Sequence, residues 1–158
     1  MTSYTGRLRG EGLRVAVVIS RFNDLVTERL RAGCVDGLTR HGVDAASIIE
    51  VSVPGALELP LAAQRLAASG EVDAVVCLGA VIRGSTDHHV HVGGQCAAGL
   101  ARVQLDTGVP VVFGVLTTDD LGAALERAGG KMGNKGYEAA VTAIEMADLL
   151  GQLPKSPG

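Results

Sequence analysis

Arg14 to Asn23 reads RVAVVISRFN. Its apolar residues do not alternate with polar ones. A strand of this kind is buried on both faces, which is the habit of parallel sheets covered by helices on either side. Similar runs recur at Ala46–Val53, Val72–Ile82 and Val109–Leu116. Between them lie segments with helical spacing. Asp24–His41 carries Leu25, Leu30, Val35 and Leu38 on or near one face, with Asp24 as a candidate N-cap and Gly42 as a stop. Leu57–Ala68, closed by Gly70, and Asp87–Thr107 give two more helices. Asp120–Ala128 and Asn134–Leu150 close the chain on either side of a Gly-rich break. The order β-α-β-α-β-α-β-α-α predicts a three-layer α/β/α fold around a four-stranded parallel sheet.

At 158 residues the length favours one domain, and 20% charged with 47% hydrophobic residues argues against disorder. A net charge of −3 gives no reason to expect a nucleic-acid partner. The three cysteines, Cys34, Cys77 and Cys96, form no C-x-x-C motif and cannot all pair. With no apolar leader and no run of 18 apolar residues, the expectation is a reduced, cytoplasmic protein. Residues 1–12 form a polar arm, either disordered or paired with the edge strand of a neighbouring subunit. Residues 13–151 form the single domain, and residues 152–158 a loose tail. The third helix holds Gly93, Gly94, Ala97, Ala98, Gly99 and Ala101. So many small residues point to close approach of another helix, within the fold or between subunits, unless the helix is merely a weak one.

Open α/β sheets bind ligands beyond the carboxyl ends of their strands, so the four strand ends read together. The first carries Phe22, one of only two Phe in the chain, which either stacks on a flat heterocycle or plugs the core. The second turns at Pro54-Gly55 and offers Ala56, Leu57 and Glu58. The Glu58 carboxylate suits a polyhydroxyl chain, or simply favours a helix start. The third runs Ala80-Val81-Ile82-Arg83-Gly84-Ser85-Thr86-Asp87-His88 into a helix. Hydroxyls and free N–H groups at a helix start suit an anion, although ordinary capping uses the same residues. Arg127, Lys131 and Lys135, spaced by four among glycines, would complete a phosphate site. The segment lacks P-loop spacing. His88, His89 and His91 cluster at the helix start, where a neutral imidazole suits proton transfer. A metal held by His88, His91 and Asp87 would lack a third strong ligand, so none is expected.

Taken together, the motifs resemble the lumazine synthase family of riboflavin biosynthesis. They are Arg21-Phe22-Asn23, Val53 to Pro60 (VPGALELP), Gly79 to His88 (GAVIRGSTDH), Gly114 to Thr118 (GVLTT) and Arg127 to Gly136 (RAGGKMGNKG), in the family's order across residues 14–150. The resemblance implies the flavodoxin-like form of the three-layer fold. It implies condensation of 5-amino-6-ribitylaminouracil with 3,4-dihydroxy-2-butanone 4-phosphate, with neither cofactor nor metal. In that reading Phe22 stacks on the pyrimidine, and Ala56, Leu57 and Glu58 hold its ring and ribityl chain. Ala80, Val81 and Ile82 line the pocket with main-chain groups. Ser85, Thr86 and Arg127 bind phosphate with Lys135 assisting, and His88 transfers protons. Phe113 and Arg127 reach the site of an adjacent subunit.

Two departures from the family pattern stand out. His89 and His91 replace frequent Tyr residues, and Met132 replaces a small residue in a turn typical of members that form icosahedral shells. The resemblance therefore implies a homopentamer, with shell assembly and enclosure of riboflavin synthase left open. The competing expectation is a catalytically silent flavin- or lumazine-binding shell protein on the same scaffold, against which His88 and Arg127 argue.

Overall fold

Runs that are apolar on both faces, such as Val15–Ile19 and Ala74–Val81, can be dry only inside a layered sandwich. The computed structural model, which describes residues 1–157, has that arrangement. Its elements are β1 (Val15–Ser20), α1 (Asp24–Arg40), β2 (Ile48–Val53), α2 (Leu59–Ala68), β3 (Ala74–Ile82), α3 (His88–Thr107), β4 (Val111–Thr118), α4 (Leu121–Glu126), β5 (Ala128–Gly130), β6 (Gly133–Asn134) and α5 (Lys135–Gln152). The main sheet is parallel in the order β2-β1-β3-β4. This is the flavodoxin-like order, with its switch point between β1 and β3.

Side-chain alternation within each apolar run divides the core in two. Val15, Val17, Ile19, Val76 and Leu78 face α1 and α5, meeting Leu30, Leu38 and Ile144. Ala16, Val18, Val75 and Cys77 face α2 and α3, meeting Leu59, Ala63, Cys96 and Leu100. The chain thus belongs to the expected α/β/α class.

The element ends move for local reasons. The second strand starts at Ile48 rather than Ala46, because Asp44 accepts from the Ala46 N–H (3.0 Å) and caps a 3-10 turn over Ala45–Ser47. The second helix starts at Leu59 rather than Leu57, because Ala56–Glu58 form another 3-10 turn and Pro60 follows in the first helical turn. The first helix is entered through Asn23 rather than capped by Asp24. Asn23 takes a left-handed conformation (φ 65°), which asparagine tolerates better than most residues. The third and fourth strands start two residues later than expected, and the fourth continues to Thr118. The Gly-rich break is a small antiparallel hairpin, β5–β6, with left-handed Gly129 and Gly133.

Two of the small residues of α3, Gly93 and Gly99, have close partners within the fold, whereas nothing lies near Gly94. A Cβ on Gly93 would meet the Thr117 hydroxyl at 2.7 Å, and one on Gly99 would meet Pro60 at 2.8 Å. The tightest approach is between α1 and α5, where a Cβ on Gly136 would strike the Leu30 carbonyl. Gly136→Ala is therefore expected to cost about 1–3 kcal/mol as α1 is pushed away, measured as a lower urea-unfolding midpoint. An unchanged midpoint would show that the helix pair yields freely.

Residues 1–12 form neither helix nor strand. Residues 5–7 lie along the C-terminal half of α5, and the Gly10 N–H donates to the His41 carbonyl (2.7 Å) at the end of α1. The Arg7 N–H donates to Asp148 (2.7 Å), and Gln152 donates to the Thr5 carbonyl (2.8 Å).

Candidate active site

Three strand ends are stitched together by two main-chain bonds and one side-chain bond. Arg21 N–H donates to the Val53 carbonyl (2.8 Å) and Phe22 N–H to the Pro54 carbonyl (3.1 Å), joining the exits of β1 and β2. Asn23 Nδ2 donates to the Ala80 carbonyl (2.8 Å), joining β1 to β3. This explains the strained backbone of Asn23: its side chain leaves the helix end uncapped and crosses the switch point instead.

Beyond these exits opens a cavity of about 560 Å³. Phe22, Ala56, Leu57, Glu58, Ala80, Val81, Ile82, Ser85, Thr86 and His88 all line it. Phe22 and His88 thus share one space. Phe22 is 72% exposed, so it does not plug the core, and it offers its ring to the cavity instead. The Glu58 carboxylate folds back toward Gly55, its Oε1 3.5 Å from where a Gly55 Cβ would stand. That carboxylate lies at the cavity wall, free to accept hydroxyls.

The anion side is built at the start of α3. Thr86 Oγ1 accepts from the His88 N–H (3.3 Å), so Thr86 rather than Asp87 supports the helix entry. The Arg83 guanidinium lies between Asp87 (3.5 Å) and Asp119 (4.0 Å), and the Arg83 backbone N–H donates to the Thr118 carbonyl (2.9 Å).

Three expected site residues lie outside the cavity. Phe113 is half-buried in β4, at the edge of the sheet, against the α2–α3 side of the core. Arg127 and Lys135 come together beside Thr117, Thr118, Met132 and Glu138 in a separate cleft of about 360 Å³. Arg127 also lines a third cleft, of about 320 Å³, together with His89 and Asp119. Lys131 and His91 line none of these spaces. Among the described residues no three His, Cys, Asp or Glu side chains gather as a metal-holding group.

The cavity wall also includes Asn23, Pro54, Gly55, Gly84, His89 and Val92. Asn23 had a readable signal, since an Asn directly after a strand is suited to a left-handed turn. Val92 had none beyond its place one helical turn after His88.

No thiol contributes to this chemistry. Burial pushes the Cys34 thiol up to about 12, with a smaller push from the Glu50 charge, and the Cys96 thiol up to about 11. Burial raises Cys77 too, with the neighbouring Cys96 adding to it. All three stay protonated at neutral pH, and none lines the cavity.

No helix among the described residues is long and apolar enough to cross a membrane. A family model described as 6,7-dimethyl-8-ribityllumazine synthase matches residues 12–151.

Proposed function

The chain belongs to the 6,7-dimethyl-8-ribityllumazine synthase family, transferases of riboflavin biosynthesis, and from that premise we propose that it forms 6,7-dimethyl-8-ribityllumazine itself. The substrates in this reading are 5-amino-6-(D-ribitylamino)uracil and 3,4-dihydroxy-2-butanone 4-phosphate. The observation that carries it is the shared cavity, in which an exposed aromatic face, a carboxylate, two hydroxyls at a helix start and an imidazole converge.

The uracil rests on Phe22, with its ribityl hydroxyls directed to Glu58 and to the main chain around Ala56 and Leu57. Ala80, Val81 and Ile82 close the wall behind it. Ser85 and Thr86 hold the phosphate of the second substrate at the start of α3, where N–H groups favour an anion. The 5-amino group attacks the ketone and one water leaves, giving an imine. Loss of phosphate and closure of the ring by the ribitylamino nitrogen follow, releasing a second water. His88 moves the protons these steps require. Holding both substrates at one wall contributes by proximity.

The reading also has the site completed between subunits. Phe113, Arg127 and Lys135 lie away from their own cavity, and this supports a neighbour supplying them, as in the homopentamer the family resemblance implies. The free edges of β2 and β4 leave room for such contacts.

The test is to mix purified protein with both substrates, without added metal, and follow the lumazine by its absorbance. Product formed well above the spontaneous rate is expected. No acceleration would leave a silent lumazine-binding protein on this scaffold.

A further inference from the structure

We propose that His89 is a further substrate-positioning residue, whose Nε2–H donates to the phosphate-bearing substrate where the cavity opens toward the Arg127 cleft. This rests on the functional reading above. Among the described residues, His89 is the one side chain that lines both the large cavity and the cleft holding Arg127, Thr117, Thr118 and Asp119. It follows His88 on α3, so the two imidazoles leave the helix about 100° apart and serve different parts of the space.

The ring orientation decides the role. His89 Nδ1 is buried and has no hydrogen-bond partner. A buried N–H without an acceptor is rarer and more costly than an under-used acceptor, so in the neutral ring the proton sits on Nε2. The residue as a whole is half-buried, so with one nitrogen covered the opposite edge of the ring is the one turned to the open side. The nearby carboxylates already have partners. Asp120 Oδ1 accepts from the Ala123 N–H (2.7 Å), and Asp119 lies 4.0 Å from Arg83. A donor is left over at the rim, in the cavity that Ser85 and Thr86 also line and next to the cleft that holds Arg127. An anionic oxygen is the complementary group, and of the two substrates only the butanone phosphate carries one there.

The experiment compares wild type, His89→Phe and His89→Gln. Phe keeps a flat ring without a donor, whereas Gln carries its amide nitrogen near the position of Nε2. His89→Phe is expected to raise KM for the butanone phosphate about tenfold, the scale of one lost hydrogen bond to a charged group, with kcat and KM for the uracil little changed. His89→Gln is expected to recover most of the loss. An unchanged KM in His89→Phe, or His89→Gln as impaired as His89→Phe, overturns the assignment.

A second measurement uses the wild-type protein and needs no turnover. Inorganic phosphate should protect His89 from acylation by diethyl pyrocarbonate, read residue by residue by peptide mass spectrometry. Equal labelling of His89 with and without phosphate also overturns it. If wild type forms no lumazine, the functional reading falls, while phosphate protection still reports on His89 alone.

Discussion

Replacing His88 with alanine is expected to lower kcat by about 10²-fold or more, within the 10²–10⁴ range typical for loss of a positioned acid–base group. The side chain lines the cavity. Its backbone N–H donates to Thr86, while among the described residues its ring has no hydrogen-bond partner, so the ring itself is uncommitted. Imine formation, phosphate loss and ring closure all move protons at a site with no thiolate. His89 cannot stand in, because it leaves the helix in another direction with its Nδ1 covered. Binding should survive, since the stacking face at Phe22 and the anion groups at Ser85 and Thr86 remain. The expected signature is therefore a fall in kcat and kcat/KM together, with substrate dissociation constants within about threefold of wild type. Unchanged turnover would remove His88 from the mechanism. A loss confined to KM would make it a binding residue instead.

The sheet was legible because the two central strands, β1 and β3, are apolar on both faces, which leaves few alternatives to a covered parallel sheet. The strand exits were legible for a related reason. Phe22, Pro54-Gly55 and Ser85-Thr86 are residue types that a buried strand would not end in without cause, and chain order alone brings those ends to one edge. Boundaries were less legible, because 3-10 turns such as Ala45–Ser47 and Ala56–Glu58 use the same residues as the elements they precede. The β5–β6 hairpin was hidden for another reason: three of its five strand residues are glycines, and two of them, Gly129 and Gly133, take positive φ. The role of Asn23 depends on a contact with Ala80 across 57 residues, which no local pattern encodes. The same is true of the distance between the cavity and the basic pair Arg127–Lys135. The sequence makes the pair visible as cations among glycines, but their separation from Ser85 and Thr86 is a property of the folded chain.

That separation gives the second large effect. Arg127→Ala is expected to raise KM for the butanone phosphate by about 10- to 100-fold, the loss of a charge-assisted bond to phosphate, with little change in KM for the uracil. Its guanidinium donates to the Ala123 carbonyl (3.0 Å), which fixes the stem at the end of α4 and leaves the remaining donors free. Folding should be unaffected, because the side chain is exposed and buries no apolar surface. The sharper result comes from mixing. If Arg127 serves the cavity of an adjacent subunit, a His88→Ala chain still lends an intact arginine to its neighbour, and an Arg127→Ala chain still has an intact imidazole in its own cavity. With the butanone phosphate held well below its wild-type KM, where both variants are slow, unfolding the two together and refolding them in equal amounts should restore about a quarter of wild-type activity, the fraction of sites pairing both intact residues in a cyclic oligomer. Each variant refolded alone should stay slow under the same conditions. If the mixture shows only the mean of the two variants, Arg127 acts on its own chain or not at all. A swing of its side chain past His89, the one residue common to both spaces, would then be the remaining route from that cleft to the phosphate.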